Sequence, residues 1–149
     1  MRVLVDTNVV LDVLLARKPF VETATELFAM AERSEIEAFL CATTVTTVDY
    51  LLNQSLSRAA AKKALHRLLE LFEIAPVNRS VIEEALESKV QDFEDAVLEH
   101  AGKLAGVEAI VTRNTKDFRK ASVKAVDPAA LLSTIKELKA ANKALEHDE

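Results

Sequence analysis

The chain has 149 residues, half of them hydrophobic, and a formal net charge of −5. That length suits one domain burying about two-thirds of its unfolded surface, and that composition excludes a disordered chain. A single cysteine, Cys41, excludes an intramolecular disulfide framework, and its apolar neighbours Phe39, Leu40 and Ala42 read it as a buried thiol.

Too few apolar residues precede Asp6 for a signal peptide, and no apolar run approaches the roughly 18 residues of a membrane span, so a cytoplasmic protein is expected. The acidic balance does not favour bulk attraction to nucleic acid. It does not exclude it either, because an acidic pocket that holds divalent cations lowers the formal charge without describing the occupied protein.

Val3-Leu4-Val5 is a short run of β-formers that reads as a buried central strand ending at Asp6. Thr7 and Asn8 turn the chain into an apolar-periodic segment, Val9 to Leu15, which breaks at Arg17-Lys18-Pro19. Ala24, Leu27, Phe28 and Ala31 predict an amphipathic helix ending at Glu32. Ile36 to Cys41 reads as a second strand. Thr43 to Asn53 carries both strand and helix signals; Val45, Val48, Leu51 and Leu52 favour a helix.

Ser57 is placed to cap a helix to Phe72, with Ala61, Leu65, Leu68, Leu69 and Phe72 as its buried stripe. Glu73 to Val77 is a weak third strand. Ser80 is expected to cap a helix reaching Lys89, and a further helix runs from Phe93 to Leu104, closed by Gly106. Ala109 to Thr112 and Val123 to Val126 predict two more strands, and Pro128 starts a last helix, Ala129 to Leu138. Residues 139–149 form a charged, Ala-rich tail that either extends this helix or frays.

Short apolar strands alternating with helices imply right-handed crossovers and a parallel sheet. The expected fold class is α/β: a three-layer α/β/α domain over residues 1–138 with a central parallel sheet of about five strands. Strand C-termini and helix N-termini then share one edge. Asp6, the pair Asp92 and Asp95, and the segment Thr112-Arg113-Asn114-Thr115-Lys116-Asp117 can converge there.

Convergent carboxylates call for a neutralising cation, and oxygen-only donors from Asp and Asn suit Mg²⁺ or Mn²⁺ rather than zinc. Such ions suit phosphoryl chemistry. Taken singly, each residue has a plainer role. Asp92 or Asp95 serves as a helix cap or first-turn acid, Asp6 as a cap for the following helix, and Asn114 and Asp117 as turn formers.

Val5-Asp6-Thr7-Asn8-Val9, Asp92-Phe93-Glu94-Asp95-Ala96-Val97 and Ile110-Val111-Thr112-Arg113-Asn114-Thr115-Lys116-Asp117-Phe118 resemble the three sequence blocks of the PIN domain family. That family contains metal-dependent ribonucleases, many of them VapC-type toxins of toxin–antitoxin pairs. The resemblance implies a Mg²⁺-dependent ribonuclease, an RNA substrate, a small antitoxin partner and a homodimer. It makes Asp6 and Asp95 the principal metal ligands, with Asp92 available beside them and Asp117 as the acid of the terminal Asp-Phe pair. Thr7 and Asn8 would hold the turn that orients Asp6.

Two positions depart from the family pattern. Asn114 stands where many members carry an acid, and Thr47 aligns with a Glu of the helix after the second strand. Asp49, two residues on, is rotated by about 200° around that helix. Asp92 can compensate, one turn from Asp95 on the same face.

Arg113, Lys116, Arg119 and Lys120 follow the fourth strand and are candidates to contact RNA. Arg58, Lys62, Lys63 and Arg67 form a second basic face, which reads more readily as solvated than as a binding surface. His66, His100 and His147 show no ligand spacing. Two other readings remain: a catalytically weakened PIN-like module that binds metal, RNA or a protein partner without cutting, and a phosphatase with an Asp nucleophile. The second lacks the acid it needs, because Asn8 occupies that position.

Overall fold

The structure, a computed structural model, describes residues 1–147; the last two positions of the tail lie outside the described residues. Five strands, β1 (Arg2–Val5), β2 (Glu37–Cys41), β3 (Glu73–Ala75), β4 (Ala109–Val111) and β5 (Lys124–Val126), form one sheet in the order β3-β2-β1-β4-β5. Every pairing is parallel. The helices are α1 (Thr7–Leu14), α2 (Val21–Glu32), α3 (Ala42–Ser55), α4 (Arg58–Leu71), α5 (Arg79–Leu86), α6 (Phe93–Ala105) and α7 (Pro128–His147).

Successive side chains of a strand point to opposite faces, so a strand covered on both sides is apolar throughout. Val3, Val5, Ala38, Leu40, Ala109 and Val111 enter one core with α1 to α4 and α7. Leu4, Phe39, Cys41 and Ile110 enter the other, with residues of α5 and α6. The two cores make the three layers. Thr43 to Asn53 is helical, as its apolar spacing predicts, and Thr44, Val48 and Leu52 are its fully buried positions.

Local signals set most helix ends. Ser57 accepts from the Ala60 amide at 3.1 Å. Gly106, at φ +77°, closes α6 in the left-handed conformation that glycine adopts without strain. The α5 cap differs from expectation. Asn78, not Ser80, accepts from the Val81 amide, and the helix ends at Leu86 instead of Lys89. Ser88 is drawn off the helix path because its hydroxyl bonds Glu99 of α6 at 2.5 Å. At the other end of the chain, α7 continues through the charged tail as far as His147.

The strand order reverses between β1 and β4, and open parallel sheets bind ligands outside the strand C-termini at such a switch point. Val5 pairs with Val111, so Asp6 and Thr112 leave the sheet side by side.

Candidate active site

Asp6 occupies the N-cap position of α1, yet its side chain makes no capping hydrogen bond. Its carboxylate is 6% exposed and accepts from the Thr112 hydroxyl at 2.8 Å. Burial pushes the Asp6 carboxyl up from its ordinary range, and nearby Asp117 adds to this. The Thr112 hydroxyl, the Thr7 amide and the Arg113 charge oppose it. The Thr112 hydroxyl also accepts from the Asn114 amide at 3.0 Å, which ties the start of the loop after β4 to the same point. Across the strand end, the Thr7 and Thr44 hydroxyls meet at 2.9 Å and join α1 to α3.

Asp92 caps α6 by accepting from the Asp95 amide at 3.0 Å. Asp95 stands in the first turn, half-buried, with its carboxyl pushed up to about 7 by burial and then by Asp92, Asp6, Asp117 and Glu94. Asp6, Asp92 and Asp117 are each near enough to act on Asp95, so acids from all three sequence blocks surround that one carboxyl. A cleft of about 530 Å³ is lined by Asp92, Asp95 and Asp117, though not by Asp6, and by Lys89, Lys116, Arg119 and Lys120. It therefore holds four cations against three carboxylates in a protein of net charge −5.

The other expected site residues are placed as follows. Asn114, exposed, precedes a short 3-10 helix over Thr115–Phe118 that carries Lys116 and Asp117, and its side chain makes no capping hydrogen bond. Thr47 donates to the Thr43 carbonyl at 3.1 Å, and Asp49 accepts from Asn53 at 3.0 Å on its own helix surface. Asn8 is partly exposed at the start of α1. Arg113 does not extend into the cleft with the other cations. Its guanidinium donates to both oxygens of Asp12, at 2.7 and 3.2 Å, and stacks 3.9 Å over the Phe20 ring.

Thr112, Thr44 and Asp12 are supporting residues that periodicity alone does not single out. Asp12 is 1% exposed in a helix face that otherwise reads as apolar, and that lone acid was the available signal.

The donor set fits a hard divalent cation. Among the described residues no three His, Cys, Asp or Glu side chains stand ready as a complete cage. Mg²⁺ retains several waters and is commonly held by one or two carboxylates. Asp6 and Asp95 are two carboxylates that would suit such an ion.

A family model described as PIN domain matches residues 2–116. No curated protein sequence matches the chain significantly. Among solved structures, a toxin–antitoxin complex from Klebsiella pneumoniae superposes with a TM-score of 0.65 at 23% identity, over 85% of this chain and 97% of that one. VapBC2 from Rickettsia felis, bound to a promoter DNA fragment, gives 0.65 at 14% identity, over 85% and 98%. VapC20 from Mycobacterium tuberculosis, a toxin that cleaves the sarcin–ricin loop, gives 0.62 at 19% identity, over 82% and 98%. At these identities the superpositions establish the fold, while the family match covers most of the chain. This chain belongs to the PIN domain family.

Proposed function

We propose that the protein is a Mg²⁺- or Mn²⁺-dependent ribonuclease that hydrolyses RNA phosphodiester bonds, acting as the toxin of a toxin–antitoxin pair. The observation that carries this is Asp95. A half-buried carboxyl pushed up to about 7 by neighbouring acids, inside a cleft with a cationic wall, is a site built around charge that the protein itself does not neutralise.

Asp6 and Asp95 would hold the cation, with Asp92 and Asp117 completing the negative field. The ion would polarise the scissile phosphate and ease deprotonation of the attacking water. Thr112 holds the Asp6 carboxylate in one orientation through its hydroxyl. Lys116, Arg119 and Lys120 face the acids across the cleft and suit the flanking phosphates. Arg113 would act at a distance, lowering the Asp6 pKa while its guanidinium stays on Asp12.

The antitoxin reading has its own support. An apolar groove of about 440 Å³ lies between Val13, Leu14, Phe28, Leu68 and Leu71, rimmed by Lys63 and Arg67. Such a groove suits an amphipathic partner segment with acidic flanks. The superposed VapBC structures are themselves complexes with a partner. A homodimer and a cytoplasmic location belong to the same proposal. No helix among the described residues is long and apolar enough to cross a membrane.

A second reading, a module that binds without cutting, is favoured by Thr47 and Asn114, where the family pattern carries acids. Cleavage of a labelled single-stranded RNA mixture with either metal separates the two. Cleavage abolished by EDTA and by Asp95→Asn supports the nuclease; cleavage that survives Asp95→Asn contradicts the assigned site. No cleavage by folded, partner-free protein favours the binding module.

A further inference from the structure

Glu99 is absent from the three sequence blocks and from the acid cluster, yet its side chain is 2% exposed. It lies one helical turn beyond Asp95 on α6. A buried carboxylate is costly unless its lone pairs are matched, and here each oxygen is matched by a different loop. Oε1 accepts from the Ser88 hydroxyl at 2.5 Å, and Ser88 Oγ in turn accepts from the Val90 amide at 3.0 Å. Oε2 accepts from the Ser122 amide at 2.5 Å and from the Ser122 hydroxyl at 3.0 Å. Burial raises the Glu99 pKa, but these donors outweigh it and hold the carboxyl below its ordinary range.

The two loops are the two walls of the cleft. Ser88 immediately precedes the segment Lys89-Val90-Gln91-Asp92, which lines one side. Ser122 ends the segment that carries Lys116, Asp117, Arg119 and Lys120, which lines the other. His100 closes the back, with Nε2 at 3.2 Å from Glu99 Oε1.

We propose that Glu99 is a positioning residue that sets the spacing between the two walls, and so the fit of the RNA backbone between the cations and the acids. The proposal rests on the nuclease reading of the cleft. Its chemistry is distinct: Glu99 touches neither cation nor substrate and acts only through Ser88 and Ser122. Charge-assisted hydrogen bonds of this kind are roughly twice as strong as neutral ones, so a neutral replacement holds the two loops more loosely. In Glu99→Gln the remaining oxygen can still accept from Ser122 while the NH₂ group donates to Ser88 Oγ, so both contacts persist only as weaker neutral bonds.

The test compares wild type, Glu99→Gln and the milder Ser88→Ala in steady-state cleavage of labelled single-stranded RNA, Mn²⁺ titration and amide hydrogen exchange. For Glu99→Gln the expectation is a KM raised about tenfold, with kcat and Mn²⁺ affinity within about twofold of wild type. Exchange at the Ser122 amide should quicken while the β1 amides keep their protection. Ser88→Ala should show a smaller KM rise and faster exchange at Val90 alone.

Quickened exchange with KM unchanged would make Glu99 a loop staple without a role in the cleft and overturn the proposal. A fall in kcat together with Mn²⁺ affinity would overturn it as well, because the residue would then act on the acids. Should the wild type cleave no RNA, the nuclease reading fails on its own account. Binding of the same RNA then decides the role of Glu99: about tenfold weaker binding in Glu99→Gln sustains it, and equal binding overturns it.

Discussion

Asp95 carries the chemical tension of the site, and its titration has a sign that can be worked out. A carboxyl raised from an ordinary 3.8 to about 7 stays protonated in the folded protein at pH values where the unfolded chain has released its proton. Metal-free stability is therefore fully supported below pH 4 and falls as the pH rises through about 7. Asp95→Asn removes the repulsion. In EDTA at pH 8 it should stabilise the protein by about 1–2 kcal/mol, a value reduced for the solvent screening of a half-buried group. At pH 4 the gain should vanish, and urea denaturation at the two pH values measures the difference. Thr112 works on the other acid. Thr112→Val keeps the shape of a fully buried side chain and deletes the donor to Asp6, which should weaken Mn²⁺ binding about tenfold or more, read by calorimetry.

Among the elements, the sheet and the helical layers were legible in the sequence because burial on both faces leaves every central strand apolar and every helix with a stripe. The Ser57 cap and the Gly106 stop were legible for the same local reason: the side chain or backbone that does the work lies within a turn of the end it defines. The α5 boundaries were not, because Ser88 answers to Glu99, eleven residues away. The Asp12–Arg113 pair spans 101 residues and locks α1 to the end of β4, and no periodicity announces such a contact. Its weight is testable. Arg113→Ala leaves Asp12 buried with only Arg17, at 4.0 Å, beside it, and should cost about 2–3 kcal/mol in denaturant unfolding. The double change Asp12→Leu with Arg113→Met should recover most of that loss, since no buried charge is then left unpaired.

At the scale of the whole molecule, a protein of net charge −5 brings Asp6 to the switch point of its sheet and sets Asp92, Asp95 and Asp117 in a cleft with four cations. The convergence of Asp6, Asp92, Asp95 and Asp117 was readable from strand-end placement and from the family's sequence blocks. The withdrawal of Arg113 from the cleft was not, since it depends on a partner in α1. If the cluster is a cation site, an ion held by the folded state alone must stabilise the whole domain: Mn²⁺ at about a hundred times its Kd should add about 2.7 kcal/mol to unfolding. The most direct measurement is a Mn²⁺ titration by calorimetry at pH 6.5 in buffers of different ionisation enthalpy, for wild type and Asp95→Asn. The wild type should bind the ion and release a proton from Asp95, and Asp95→Asn should lose both the binding and the release. Equal Mn²⁺ affinity in the two proteins, with no proton released by either, would contradict this.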